Sequence, residues 1–207
     1  MNRDKMIVDN PLQALGCYPL LRASKDGIAN RAEVLMKVEG WNPGGSMKAR
    51  VADYMIRRAE KENKLRHGGT IIESSSGSLA IGLALVGAVR GYKVIIVTDP
   101  RMPKIVQATL KAYGARIEFV QTQAKPGGWQ VSRARRLKEL LAENPGAYYP
   151  CQHHNPQHPE TYDGSMAREI LDQTGGKFDA FVCAVGSGGS IAGNSRIFKK
   201  YLPHLKV

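Results

Sequence analysis

Cysteine is scarce and unpatterned. Cys17, Cys151 and Cys183 are three in number and far apart, which argues against a disulfide framework or a zinc knuckle and for reduced thiols. Long hydrophobic runs are missing as well. The longest uncharged apolar stretch, Leu79 to Val89, falls short of the roughly 20 residues that a spanning helix needs. The opening Met1-Asn2-Arg3-Asp4-Lys5 leads into no signal-type apolar segment, so a cytoplasmic protein without a membrane partner is expected. There is no solenoid repeat and no low-complexity tract. Two nucleotide signatures are also lacking: Ile191 stands where a dinucleotide fingerprint would place its third glycine after Gly186-x-Gly188, and no Gly-Lys-Ser/Thr sequence occurs. NAD and ATP are therefore not expected.

Acidic charge is short relative to basic, with 18 Asp and Glu against 30 Lys and Arg for a formal net charge of +12. Such an excess invites a nucleic-acid reading, but the basic residues are spread through every segment. The densest cluster, Arg133-Ala134-Arg135-Arg136-Leu137-Lys138, lies in a run whose Val131, Ala134, Leu137 and Leu141 form an apolar stripe. That pattern describes the solvated face of an amphipathic helix, and no recognition motif accompanies it. Nucleic acid is excluded as a partner; attraction of small anionic substrates is the simpler use of the field. His153, His154 and His158 lie among Pro and Asn, with no cysteine or clustered carboxylate nearby. The segment Gln152 to Pro159 is therefore read as an exposed loop and candidate domain junction, and no metal is expected.

Short β-type runs alternate with amphipathic runs along the 207 residues, the pattern of parallel strands joined by crossover helices. The fold class is α/β, with one or two domains. Strands are expected at Val34 to Val38, Thr70 to Ile72, Lys93 to Thr98, Arg116 to Gln121, Tyr148 to Cys151 and Ala180 to Val185. Helices are expected at Lys48 to Lys61, Ser78 to Arg90, Pro103 to Tyr113, Gln130 to Glu143, Thr161 to Gln173 and from Ile191 to Tyr201. Gly91 and Gly114 stand where a left-handed residue ends a helix.

Three glycine- or serine-rich turns carry the chemistry. Gly186-Ser187-Gly188-Gly189-Ser190 links a strand-like run to a helix-like one, so backbone N–H groups and the positive helix end converge on one anion, as a phosphate cradle requires. Asn42-Pro43-Gly44-Gly45-Ser46-Met47-Lys48 delivers a lysine to the start of another helix. The helix end there disfavours an ammonium, and a neutral amine can form a Schiff base with an aldehyde. Glu73-Ser74-Ser75-Ser76-Gly77-Ser78-Leu79 again joins strand to helix and can hold a carboxylate, in the place where open α/β sheets bind ligands. A phosphate site together with a presented amine points to pyridoxal phosphate.

These residues resemble the cysteine synthase group of fold type II pyridoxal phosphate enzymes. Leu15-Gly16-Cys17-Tyr18-Pro19-Leu20 is similar to the family's N-terminal entry, Asn42 to Lys48 to its lysine motif, and Gly186 to Ser190 to its phosphate loop. The resemblance implies a tryptophan synthase β-like fold with two open parallel sheets flanked by helices. Within it, 41–145 would form the smaller, substrate-closing domain, and 14–40 with 146–207 part of the larger cofactor-binding domain. It implies that Lys48 bonds the cofactor, that Ser78 and Gly186, Ser187, Gly188, Gly189 and Ser190 contact it, and that Ser75, Ser76, Gly77 and Gln152 hold the substrate carboxylate. It also implies a homodimer and β-replacement on an activated L-serine, O-acetylserine or O-phosphoserine, with Lys48 as general base.

Within the family, the Glu73 to Leu79 run, Thr98-Asp99-Pro100 and Gly127-Gly128-Trp129 resemble the branch that makes N-(2-amino-2-carboxyethyl)-L-glutamate, with a sulfocysteine-forming branch as its relative. The sequence departs from the family at Ser78, usually Asn, at Ala49, usually Asp, and at Ala80, usually Gly. Family chains also continue beyond the position of Val207, so the larger domain is expected to be incomplete. Those departures motivate a competing class, a catalytically impaired remnant or cofactor-binding regulatory protein; dehydration of serine or threonine is a third.

Overall fold

The computed structural model describes residues 7–23 and 32–207. Its organising element is a parallel three-stranded sheet of β3 (Thr70–Ser74), β4 (Lys93–Thr98) and β5 (Arg116–Phe119) in the order β3-β4-β5. Ile72 pairs with Ile95 and Ile96 with Ile117. α1 (Lys48–Lys61) precedes the sheet, α2 (Ser78–Arg90) joins β3 to β4, α3 (Lys104–Ala112) joins β4 to β5, and α4 (Gly128–Glu143) follows β5. Five of the six β4 residues are buried, as an apolar strand covered on both faces should be. Alternation splits the core in two. Ile71, Val94 and Ile96 face Val51, Met55, Ile56 and Leu83 of α1 and α2, while Ile72, Ile95 and Val97 face Leu137 and Leu140 of α4.

The expected helices at Lys48 to Lys61 and Ser78 to Arg90 form over those residues. Gly91 ends α2 with φ of 76°, and Gly114 has φ of 77° just past α3, the left-handed conformation that glycine adopts without penalty. α4 starts two residues earlier than expected, and the last helix, α7 (Gly189–Tyr201), likewise begins two residues before Ile191.

Several expected elements differ. Val34 to Val38 contributes β2 (Leu35–Lys37), which pairs antiparallel with β1 (Leu20–Arg22) instead of joining a parallel sheet. Tyr148 to Cys151 gives a single parallel bridge, Ile71 with Tyr148. Pro150 has no N–H to extend that ladder, and Cys151 turns the chain with φ of 51°. Ala180 to Val185 likewise makes one parallel bridge, Ala180 with Lys206, and Val182 is 92% exposed. The helix expected over Thr161 to Gln173 starts only with α6 (Met166–Thr174), which turns separate from a short α5 (Gln157–Glu160) ahead of the expected range. Gly164 falls in the break and Ser165 is non-helical, with φ of −125° and ψ of −106°.

The segment read as an exposed loop is the largest revision. It carries α5, and it buries Gln157 and His158, the latter only 1% exposed. Tyr162 and Phe198 extend the core between α5 and α7. An ion-pair network anchors the start of α1 to the rest of the molecule. The buried Arg50 guanidinium donates to Glu39 at 2.7 Å through Nε and through Nη2, and to Glu169 at 2.6 and 2.9 Å. Lys37 adds a 2.8 Å contact with Glu169. Burial alone would raise the Glu169 carboxyl, but Arg50, the Cys17 N–H and Lys37 outweigh it and hold it at about 2.

Candidate active site

Lys48 is the first residue of α1, and the turn before it sets its direction. Asn42 Nδ2 donates to the Glu39 carbonyl and carboxylate at 2.8 Å each, and the Gly45 N–H returns to the Asn42 carbonyl at 2.7 Å. Gly44 and Gly45 have φ of 88° and 75°, values an L side chain resists. Behind Lys48, α2 approaches so closely that a Cβ on Gly82 would lie 2.8 Å from the Lys48 carbonyl oxygen.

The Lys48 amine faces three acceptors. Nζ lies 3.3 Å from Gln152 Oε1, 3.1 Å from His158 Nε2 and 3.3 Å from Ser187 Oγ. Burial lowers its pKa below the ordinary lysine value. His158 is held by its other nitrogen, Nδ1, which lies 2.9 Å from the Gln152 carbonyl. Burial, and after it the charge of Lys48, push the imidazole down to about 4.

Lys48 opens onto a cavity of about 510 Å³ that the starts of α1, α2 and α7 all border. Ser75, Ser76, Gly77, Ser78 and Gln152 line it, as do Gly186, Ser187, Gly188 and Ser190. Of the residues singled out in the sequence, Gly189 alone does not line it; a Cβ there would sit 2.5 Å from the His158 ring. Gly188, with φ of 80°, caps α7, and no side chain caps that helix end. Neither Gly186 nor Gly188 has an atom within 4 Å of where a Cβ would stand. The open backbone at a helix N-terminus suits an anion, and the volume suits a small organic ligand. Ser190 is buried, with its hydroxyl 2.8 Å from Cys183 Sγ.

Three residues contribute to the site in ways that the sequence motifs alone do not signal. Arg133, taken as part of a solvated face, lines the cavity with its side chain 16% exposed, in a 3.5 Å ion pair with the buried Asp99. His158 was grouped with its solvated neighbours. Its sequence signal was the spacing of His158 and Tyr162, one helical turn apart, whose rings stand 6.2 Å apart. Glu73, next to last in β3 and 2% exposed, stands before the serine-rich turn, and burial pushes its carboxyl up to about 7 against the opposing pull of backbone N–H groups such as that of Ser74, 2.8 Å away. Among the described residues no cluster of His, Cys, Asp or Glu is placed to hold a metal, and no helix is long and apolar enough to cross a membrane.

A small-residue loop at a helix N-terminus whose Ser187 hydroxyl lies 3.3 Å from a half-buried amine, in an α/β scaffold, is suited to a phosphorylated carbonyl compound. The residues thus fit pyridoxal phosphate: open backbone for the ester group, an amine of lowered pKa for the aldehyde. The chain belongs to the pyridoxal-phosphate dependent enzyme family, whose pattern matches residues 12–207. It is 39% identical over 201 residues to a cysteine synthase of Staphylococcus aureus, covering 97% of this chain and 63% of that protein. It is 35% identical over 202 residues to the N-(2-amino-2-carboxyethyl)-L-glutamate synthase of Ralstonia nicotianae, covering 98% of this chain and 60% of the relative. Among solved structures, the O-acetylserine-dependent cystathionine beta-synthase of Helicobacter pylori superposes with a TM-score of 0.88 at 31% identity, over 97% of this chain and 65% of that one. The chain therefore spans just under two thirds of the length of these relatives.

Proposed function

We propose that this protein takes part in β-replacement on an activated L-serine, O-acetylserine or O-phosphoserine. The bond from Cβ to the acetate or phosphate oxygen breaks, and a nucleophile such as sulfide bonds to Cβ in its place. The observation that carries this reading is the placement of Lys48 Nζ 3.3 Å from Ser187 in the anion loop. Pyridoxal phosphate, when bound, supplies the electron sink that stabilises negative charge at the substrate Cα. Lys48 and the backbone of Gly186, Ser187, Gly188, Gly189 and Ser190 would hold it, with Ser78 beside it.

The roles of the other residues follow from chemistry and position. Lys48 Nζ, its pKa lowered by burial, is suited to take the Cα proton as general base. Ser75, Ser76 and Gly77, at the positive end of α2, are suited to a substrate carboxylate, and the Gln152 amide N–H group is suited to donate to it, since its Oε1 already faces Lys48. The unit 41–145 would close over the substrate against 14–40 and 146–207, excluding water. A homodimer in the cytoplasm is the setting we infer.

Arg133 favours a second reading. A cation bordering the cavity suits an anionic leaving group or acceptor, as in synthesis of N-(2-amino-2-carboxyethyl)-L-glutamate or sulfocysteine. Both readings meet the same test. The protein supplied with pyridoxal phosphate, O-acetylserine and sulfide should form cysteine, and Lys48→Ala should lower the rate by roughly 10²- to 10⁴-fold. Equal rates in the two proteins would refute the role of Lys48. Cofactor binding by wild type without any release of acetate would instead identify a regulatory protein. Replacing sulfide by glutamate or sulfite, and O-acetylserine by O-phosphoserine, separates the two synthases.

A further inference from the structure

His158 is buried to 1% exposure against the reacting amine, and its place is made by two neighbours. Gly189 leaves room for the ring, since any Cβ there would stand 2.5 Å from Cε1 and Nε2. The Gln152 carbonyl lies 2.9 Å from Nδ1, and a carbonyl only accepts, so Nδ1 carries the proton. In a neutral imidazole Nε2 is then left with its lone pair. That lone pair is directed at Lys48 Nζ, 3.1 Å away and nearer than either Gln152 Oε1 or Ser187 Oγ at 3.3 Å. The three acceptors match the three donors of an ammonium.

We propose that His158 is a positioning residue for Lys48: its neutral ring, fixed as the Nδ1–H form by the Gln152 carbonyl, aims the amine and gives a buried acceptor to the ammonium that Lys48 becomes on taking a proton. The proposal rests on Lys48 being the reacting amine. The groups facing the ring are Lys48 from α1, His153 from the loop before α5 and Tyr162 from the segment after it, while α7 presents the Gly189 backbone. Burial, and after it the charge of Lys48, keep the ring neutral, with a pKa pushed down to about 4, so Nε2 stays an acceptor at neutral pH. A hydrogen bond to a charged donor is among the stronger kinds, and its loss disfavours the ammonium.

Competitive labelling of the cofactor-free protein with acetic anhydride across pH, read by mass spectrometry of the Lys48 peptide, gives the pKa of this amine directly. His158→Leu should lower it by about one unit, equivalent to about 1.4 kcal/mol. His158→Gln, which keeps an amide oxygen near the Nε2 position, should restore part of the shift. A Leu variant whose curve coincides with wild type, or moves upward, overturns the proposal. Wild-type protein labelled with ¹⁵N histidine supplies a measurement independent of any variant's folding: His158 should be in the Nδ1–H form and neutral from pH 5 to 8, and the Nε2–H form overturns the idea. Both readouts hold whether or not cysteine is made. Cofactor that stays bonded in Lys48→Ala would remove the premise itself, a separate result.

Discussion

Gly82→Ala tests how tightly Lys48 is placed. In the interior of α2 an alanine would ordinarily stabilise by roughly 1 kcal/mol over glycine. Here the new Cβ would stand 2.8 Å from the Lys48 carbonyl oxygen, 3.1 Å from its carbonyl carbon and 3.2 Å from the Ala49 nitrogen. All three atoms are backbone, so no rotamer change relieves the clash and α1 must move. Overpacking of this kind costs about 1–3 kcal/mol, and a clash with backbone alone belongs to the upper part of that range, about 2–3 kcal/mol, so with the helix propensity subtracted we expect a net loss of about 1–2 kcal/mol. At 2–4 °C per kcal/mol for a chain of this size, Tm should fall by roughly 2–8 °C. The displacement carries Lys48 away from Gln152, His158 and Ser187, so cofactor retention should weaken as well. Thermal unfolding of Gly82→Ala beside Gly40→Ala, whose Cβ would meet nothing within 4 Å, isolates the effect. A Gly82→Ala protein that melts at or above wild type and keeps its cofactor would refute the close approach of α1 and α2.

The remaining predictions concern the anchor of α1, two carboxyls and the anion loop. Arg50→Met leaves Glu39 and Glu169 without their shared cation and should cost about 3–5 kcal/mol in urea unfolding; a loss below about 1 kcal/mol would contradict the network. Glu169, held at about 2 against an ordinary 4.5, contributes stability that is present above 4.5 and lost as pH falls from there toward 2, a slope that Glu169→Gln should remove. Glu73 has the opposite sign. Raised from 4.5 to about 7, it makes the folded state lose stability as pH climbs through that window, and Glu73→Gln should flatten unfolding free energy over that range. Gly188→Ala forces a side chain into φ of 80° at a cost of about 1–2 kcal/mol and should weaken cofactor binding about tenfold, measured by fluorescence titration; unchanged affinity would remove Gly188 from the cradle.

Elements with strong periodicity were legible from the residues alone. α1 and α2 follow glycine- or serine-rich turns and carry clear apolar patterns, and β4 is built on the apolar run Val94 to Val97, so their limits needed no tertiary information. The three turns at Lys48, Ser75 to Ser78 and Gly186 to Ser190 were legible for the same reason, and all border one cavity. What escaped depended on packing between distant segments. Polar composition marked Gln152 to Pro159 as exposed, yet the missing side chain at Gly189 opens a buried slot for His158, and nothing local signals that. Arg133 matched the solvated face of α4, but its side chain turns to the cavity beside Asp99. The single bridges at Tyr148 and Ala180 show the converse: β-type composition makes a strand only where a neighbour repeats the ladder.

The central claim is that Lys48 bonds the cofactor whose phosphate the Gly186 to Ser190 loop receives. Incubation with pyridoxal phosphate, reduction with borohydride and peptide mass spectrometry test it most directly. A phosphopyridoxyl group on Lys48, absent from Lys48→Ala and reduced in Gly188→Ala, is the predicted result. Stoichiometric modification of a different lysine, with Lys48 unmodified, would contradict the account.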